Sequence, residues 1–125
     1  MFAEVKAMLP VSGDAYDAEI IMQIYAAWLD LTRTAEISPD GEISITRIWH
    51  KTGEDPDTHE ELGYWTVTDE STVTDQLVIT AIATWCTMRI GNPANYDNLL
   101  RAYESQKGSM RISKHYTAYG EVTTE

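Results

Sequence analysis

The chain has 125 residues, 43% of them apolar, and sets 9 Lys and Arg against 20 Asp and Glu for a formal net charge of −11. Length and apolar content suit one domain with one core of modest size. So acidic a chain is unsuited to holding nucleic acid by phosphate neutralisation or to settling on an anionic membrane, and no apolar run reaches the roughly 18–20 residues of a membrane span.

The opening segment MFAEVKAMLP carries Glu4 and no long apolar run, so a signal peptide is not expected. Phe2, Val5 and Leu9 stand near helical spacing and predict a short helix over 1–9, ended by Pro10. Ser12, Gly13 and Asp14 are turn and cap residues. The next helix is expected from about 14 to 34. Tyr16, Ile20, Ile24, Ala27 and Leu31 form one stripe, with Ile21 and Trp28 beside it. Asp14, Asp17 and Glu19 sit in its first turns, where the helix dipole favours negative charge.

Ser38-Pro39-Asp40-Gly41 is a turn sequence, because proline fixes φ and glycine accepts a positive one. Beyond it the pattern has period two. Ile43, Ile45, Arg47 and Trp49 point one way, and Ser44, Thr46, Ile48 and His50 the other. A second such run covers 63–68. Between them lies KTGEDPDTHEEL, read as a mobile acidic tip. Residues 42–68 therefore predict a long β-hairpin. A lone two-stranded hairpin is marginal in water, so it is expected to pack on the helices or on a neighbouring copy.

Asp69, Ser71 or Thr72 can cap a helix expected over 72–90. Its apolar residues, from Val73 to Ile90, cover nearly the whole circumference, as in the buried centre of a bundle. Cys86 lies within it. A lone cysteine forms no internal disulfide, and this one reads as a small buried hydrophobe. Gly91, Asn92 and Pro93 suit a turn into a last helix over 93–110, carrying Tyr96, Leu99, Leu100, Tyr103 and Met110. Residues 111–125 show no firm period.

The predicted fold is mainly α: a small bundle of about four helices with an inserted long β-hairpin and an extended C-terminal tail. The domain is placed at 1–110, with the hairpin inserted at 42–68, and the tail at 111–125. The acids concentrate in residues 1–70, and the remainder is close to neutral.

Catalytic signatures are absent: no GxGxxG, GxxxxGK[ST], HExxH or GxSxG occurs. His50 and His59 flank Asp55 and Asp57, but the spacing matches no metal-site pattern, and an acidic loop explains the same residues. The pairs Glu60-Glu61 and Asp69-Glu70 lack the apolar context that shifts a carboxyl pKa, and read as a solvated face. No enzyme activity, cofactor or metal is expected. Trp28 and Trp85 are expected to pack internally, and one of Trp49 and Trp65 against another chain.

The run VTDQLVITAIATWCTMRIGNP, followed by ANYDNLLRAYESQKGSMRIS and a tail with HYT, resembles the small head–tail connector (adaptor) proteins of HK-type long-tailed phages. The pattern Y-x-x-L-x-x-x-Y-x-x-x-K falls on Tyr96, Leu99, Tyr103 and Lys107, and D-x-x-D-x-E-I-x-x-x-I on Asp14, Asp17, Glu19, Ile20 and Ile24. The likeness covers about 1–37 and 72–117, and these are packing patterns rather than catalytic ones. It implies a structural virion protein at the virion neck, the head–tail interface, assembled in the host cytoplasm. Copies would form a ring, matching a twelve-fold portal, beneath the portal protein. The ring would extend the DNA channel, pass DNA without tight binding and offer a docking surface to the stopper or tail completion protein.

On this reading, Ile43, Ile45, Trp49, Trp65 and Val67 are candidates for the contact between subunits. Glu54, Asp55, Asp57, Glu60 and Glu61 are candidates for an acidic channel wall or rim, which would repel phosphate. Ile112, His115, Tyr116 and Tyr119 are candidate anchors on the portal. The alternative from another class is an acidic DNA mimic that occupies a host DNA-binding enzyme. It predicts a regular array of acids on one face and needs no aromatic tail.

Overall fold

Four α-helices and two β-strands make up the regular structure of the described residues, 1–90 and 94–112, in a computed structural model of the chain. The order is α1 (Phe2–Ala7), α2 (Asp17–Leu29), β1 (Ile45–Glu54), β2 (Glu61–Asp69), α3 (Gln76–Arg89) and α4 (Tyr96–Arg111).

Helix α1 has only six residues, too few to stand alone in water. Tertiary contacts hold it. Phe2, Val5 and Leu9 are buried in the core, and Lys6 Nζ lies 2.6 Å from the buried carboxylate of Asp17 at the start of α2. Burying side chains of this kind is worth about 1.5–3 kcal/mol each, which exceeds what helix propensity alone supplies.

The α2 stripe buries Ile20, Ile24 and Ala27. After Leu29 the backbone loosens into a π-helical turn over Asp30–Thr34. The amide of Ala35 donates to the carbonyl of Asp30 at 2.9 Å, and Glu36 turns the chain away with φ of 57°. Leu31 within the turn stays in the core.

Helix α3 is the central element. It buries Val78, Ile79, Ala81, Ile82, Ala83, Cys86 and Met88. Leu77 remains exposed and Trp85 half-buried, so one flank of α3 reaches the surface. Its cap is Asp75, whose carboxylate accepts the Leu77 amide at 2.9 Å; Asp69, Ser71 and Thr72 lie too far upstream to cap it. Helix α4 lays Tyr103 and Met110 on this core, whereas Tyr96 and Leu100 stay exposed.

Strands β1 and β2 pair antiparallel, with Ile45 opposite Asp69, Arg47 opposite Val67 and Trp49 opposite Trp65. Thr52 is left without a partner between Lys51 and Gly53, which makes a β-bulge. Pairing then resumes through Glu54 opposite Glu61. The base of the hairpin continues as side-chain bonds: the Glu42 amide donates to Thr72 Oγ1 and the Ser44 amide to Ser71 Oγ, each at 2.9 Å. Gly41 carries φ of 98° against this strip, and a Cβ there would come 2.8 Å from the Thr72 backbone.

The expectation of a mainly α fold is corrected by these strands. Helices account for 50% of the described residues, and with the antiparallel pair they make a small mixed α/β fold, of which the helices alone are roughly a bundle. The difference arises in the acid-rich segment. Its ends, Lys51–Glu54 and Glu61–Leu62, are paired strand rather than loop, because backbone pairing satisfies the amides while the charged side chains stay in water. Of the tail expected over 111–125, Arg111 and Ile112 belong to the last turn and cap of α4, and the remainder lies outside the described residues.

Candidate assembly interface

The helices hold the hairpin at its base. The Ile45 amide donates to the Tyr25 hydroxyl at 3.0 Å, which in turn reaches the Ile45 carbonyl at 3.4 Å. Ile45 is itself buried in the chain's own core, and Ile43 and Val67 are half-buried against it. Of the five residues expected to meet a neighbouring copy, these three thus serve first to seat the hairpin.

Beyond the base the hairpin carries apolar groups on both faces. On the face continuing from Ile45, the Trp49 and Trp65 rings meet with centroids 5.2 Å apart. The Arg47 guanidinium lies 4.0 Å from the Trp65 centroid, a cation–π contact. Trp49 Nε1 donates to Glu61, and Lys51 Nζ lies 3.5 Å from Glu54 and 3.9 Å from Glu61. Trp65 is 46% exposed and Trp49 half-buried. The opposite face carries Ile48, Leu62 and Tyr64, all exposed, with Tyr64 at 54%. His50 stacks on Tyr64 at 4.9 Å between centroids, with its Nε2 2.8 Å from Thr66 Oγ1. An arm of this composition is costly to leave in water, since single exposed apolar residues are ordinary but a contiguous set marks a contact surface.

The turn between the strands is ordered by its own acids. Asp55 Oδ1 accepts the amides of Asp57 at 2.8 Å and Thr58 at 3.1 Å. These two backbone bonds hold the Asp55 carboxyl below the usual carboxylate range. His59 takes φ of 62°, and its amide returns to the Asp55 carbonyl at 2.9 Å. The loop expected to be a mobile tip is therefore a tight Asx-type turn. Glu54, Asp57, Glu60 and Glu61 are exposed around it, with Asp55 half-buried. His50 points away from this turn, on the Tyr64 side. No cluster of three metal-ligating side chains forms among the described residues.

Of the candidate portal anchors, Ile112 caps the C-terminal end of α4 and is 86% exposed. His115, Tyr116 and Tyr119 lie outside the described residues. Helix α4 is braced where it leaves the core. The Tyr103 hydroxyl donates to Asp30 Oδ2 at 2.5 Å, and Lys107 Nζ lies 3.1 Å from the same oxygen. Burial and then the Asp30 carboxylate push the Tyr103 phenol above its ordinary range, so it remains a donor. Tyr103 also meets Trp85 edge to face at 5.3 Å, and Trp85 Nε1 donates to Gln23 Oε1 at 3.0 Å.

Sequence reasoning missed Ile48, Leu62 and Tyr64 as surface residues, although strict alternation placed Ile48 on the face opposite Trp49. It also missed Tyr25 and Asp30, whose partners lie 20 and 73 residues away. No local signal announces such pairs.

No helix among the described residues is long and apolar enough to cross a membrane. No protein-family model, curated protein or solved structure matches the chain.

Proposed function

We propose that this chain is a structural protein of the phage neck, a head–tail connector whose copies associate into a ring of twelve beneath the portal. The observation that carries the reading is the hairpin: an arm seated at its base on α2, apolar on both faces beyond that base, and tipped by an acidic turn. An arm that exposes Ile48, Leu62, Tyr64 and Trp65 in a single copy gains by burial in an assembly. Contacts around a ring are heterologous, joining one patch to a different patch on the next copy, and a projecting arm suits that geometry.

The acids have a role in the same reading. Glu54, Asp57, Glu60 and Glu61 concentrate negative charge at the arm's tip, and a wall of such charge repels passing DNA. The segment that follows Ile112 engages the portal. The ring catalyses no reaction, and stopper or tail completion proteins dock on its far side.

The test uses portal particles and two versions of the chain, full length and ending at Ile112. The shortened chain retains every described element. The full chain is expected to co-sediment with the particles, and the shortened one to stay folded by circular dichroism and remain in the supernatant. Failure of the full chain to bind portal particles at any concentration contradicts the reading.

A further inference from the structure

The outward face of α2 carries apolar groups that none of the described residues covers. Met22 is 68% exposed and Leu29, two turns on, is exposed on the same side. Beside Met22 stands Glu19, exposed and without an ion pair among the described residues. No Lys or Arg occurs within α2. The other acids at its two ends are already engaged, Asp17 by Lys6 and Asp30 by Lys107.

The Trp face of the hairpin has the reverse character. Arg47 forms no ion pair among the described residues, and its Nε is buried without a hydrogen-bond partner. Its guanidinium is fixed in direction by stacking on Trp65. The hairpin's other cation, Lys51, is satisfied by Glu54 and Glu61. The two faces lie on one chain yet do not fill each other, since Met22 and Trp65 both stay exposed.

We infer that these two faces are the two sides of one contact between copies: Arg47, Trp49 and Trp65 of one chain seat on Glu19, Met22 and Leu29 of the next. The occupant of each face is thus a second copy of this chain. Charge favours α2 over α4. The exposed side of α4 mixes Asp97 and Glu104 with Arg101 and Arg111, whereas α2 holds no cation to repel Arg47 and offers the Glu19 carboxylate beside apolar carbons. A methionine sulfur against an indole is favourable in its own right, and an Arg–carboxylate pair closed off from water by aromatic rings is stronger than one at the surface. Because the two patches differ, the contact propagates head to tail, the arrangement a closed ring requires.

The inference rests on the self-assembly in the reading above and is tested apart from the portal. Sedimentation velocity is run on the full chain and on Arg47→Glu, Glu19→Arg and the double charge swap. The wild type is expected to associate, each single variant to raise the dissociation constant at least tenfold, and the double variant to recover most of that loss. Recovery in the double variant excludes misfolding as the cause of the single losses. A wild type that stays monomeric, single variants that assemble like wild type, or a double variant no better than the singles each overturns the contact. Assembly that ignores these charges, with portal binding intact, removes this contact and leaves the connector reading in place.

Discussion

The indole of Trp49 lies across Gly63 on the neighbouring strand. A Cβ built on Gly63 would come within 2.6 Å of Trp49 Cζ2 and would also collide with the His50 carbonyl oxygen. Gly63 is opposite Lys51 in register, two pairs beyond the Trp49–Trp65 pair. The ring thus occupies the space a side chain would take, and the absence of a side chain at 63 sets where the Trp49 ring rests. That ring position in turn holds Trp65 and, through it, Arg47.

Gly63→Ala is expected to displace Trp49 and weaken the hairpin. Overpacking of this kind costs about 1–3 kcal/mol. The measurement is the urea midpoint together with near-ultraviolet circular dichroism, which reports the coupled indoles. A variant with both signals unchanged contradicts the arrangement.

Tyr103→Phe keeps the ring against Trp85 but removes the hydroxyl bonded to Asp30. Hydrogen bonds to charged groups contribute about 1.5–3 kcal/mol, and the loss of stability is expected in that range, because among the described residues the Asp30 carboxylate retains only Lys107. Removing the ring as well, in Tyr103→Ala, adds a cavity and raises the cost to about 3–5 kcal/mol. Thermal or urea unfolding of the two variants checks the order, and equal stability of Tyr103→Phe and wild type would contradict the brace.

Acid sensitivity follows from Asp69. Partial burial pushes its carboxyl up, but hydrogen bonds from Ser71 and the Phe2 amide, with the Met1 ammonium 3.1 Å away, outweigh that and hold it at about 2. A folded-state value below the unfolded one means stability that is present above the ordinary carboxylate range and is lost as pH falls towards about 2. The wild type is expected to lose stability between about pH 5 and pH 2, and Asp69→Asn to start lower and show a shallower slope across that window. Parallel slopes for the two proteins would count against the role of Asp69.

The stripe of Tyr16, Ile20, Ile24, Ala27 and Leu31 was legible in its last four residues, which lie in the core because helical spacing and burial follow from the same geometry, whereas Tyr16 at the N-cap of α2 is exposed. The alternation around Trp49 and Trp65 was legible for the equivalent reason in strands. The end of α2 was not, since a π-helical turn at Asp30 depends on backbone bonds that composition does not signal. Nor was the true reach of the strands. Lys51–Glu54 and Glu61 look like loop by composition, and only pairing across the bulge at Thr52 makes them strand. Ile45 shows the limit for the site: period two assigns its face, but whether that face meets the chain's own core or another molecule is decided by Tyr25, far away in sequence.

Burial pushes the Cys86 thiol up to about 12, so it stays protonated and unreactive in the folded chain. Ellman's reagent is expected to label it only after unfolding. Rapid labelling of the native protein would show that α3 is not the buried centre described here.

The most direct measurement of the central claim is the mass of the chain in solution by light scattering, alone and mixed with portal particles. The account predicts a closed ring of many copies, either free or formed on the portal. A species of 14.1 kDa at every concentration, indifferent to portal particles, would contradict it.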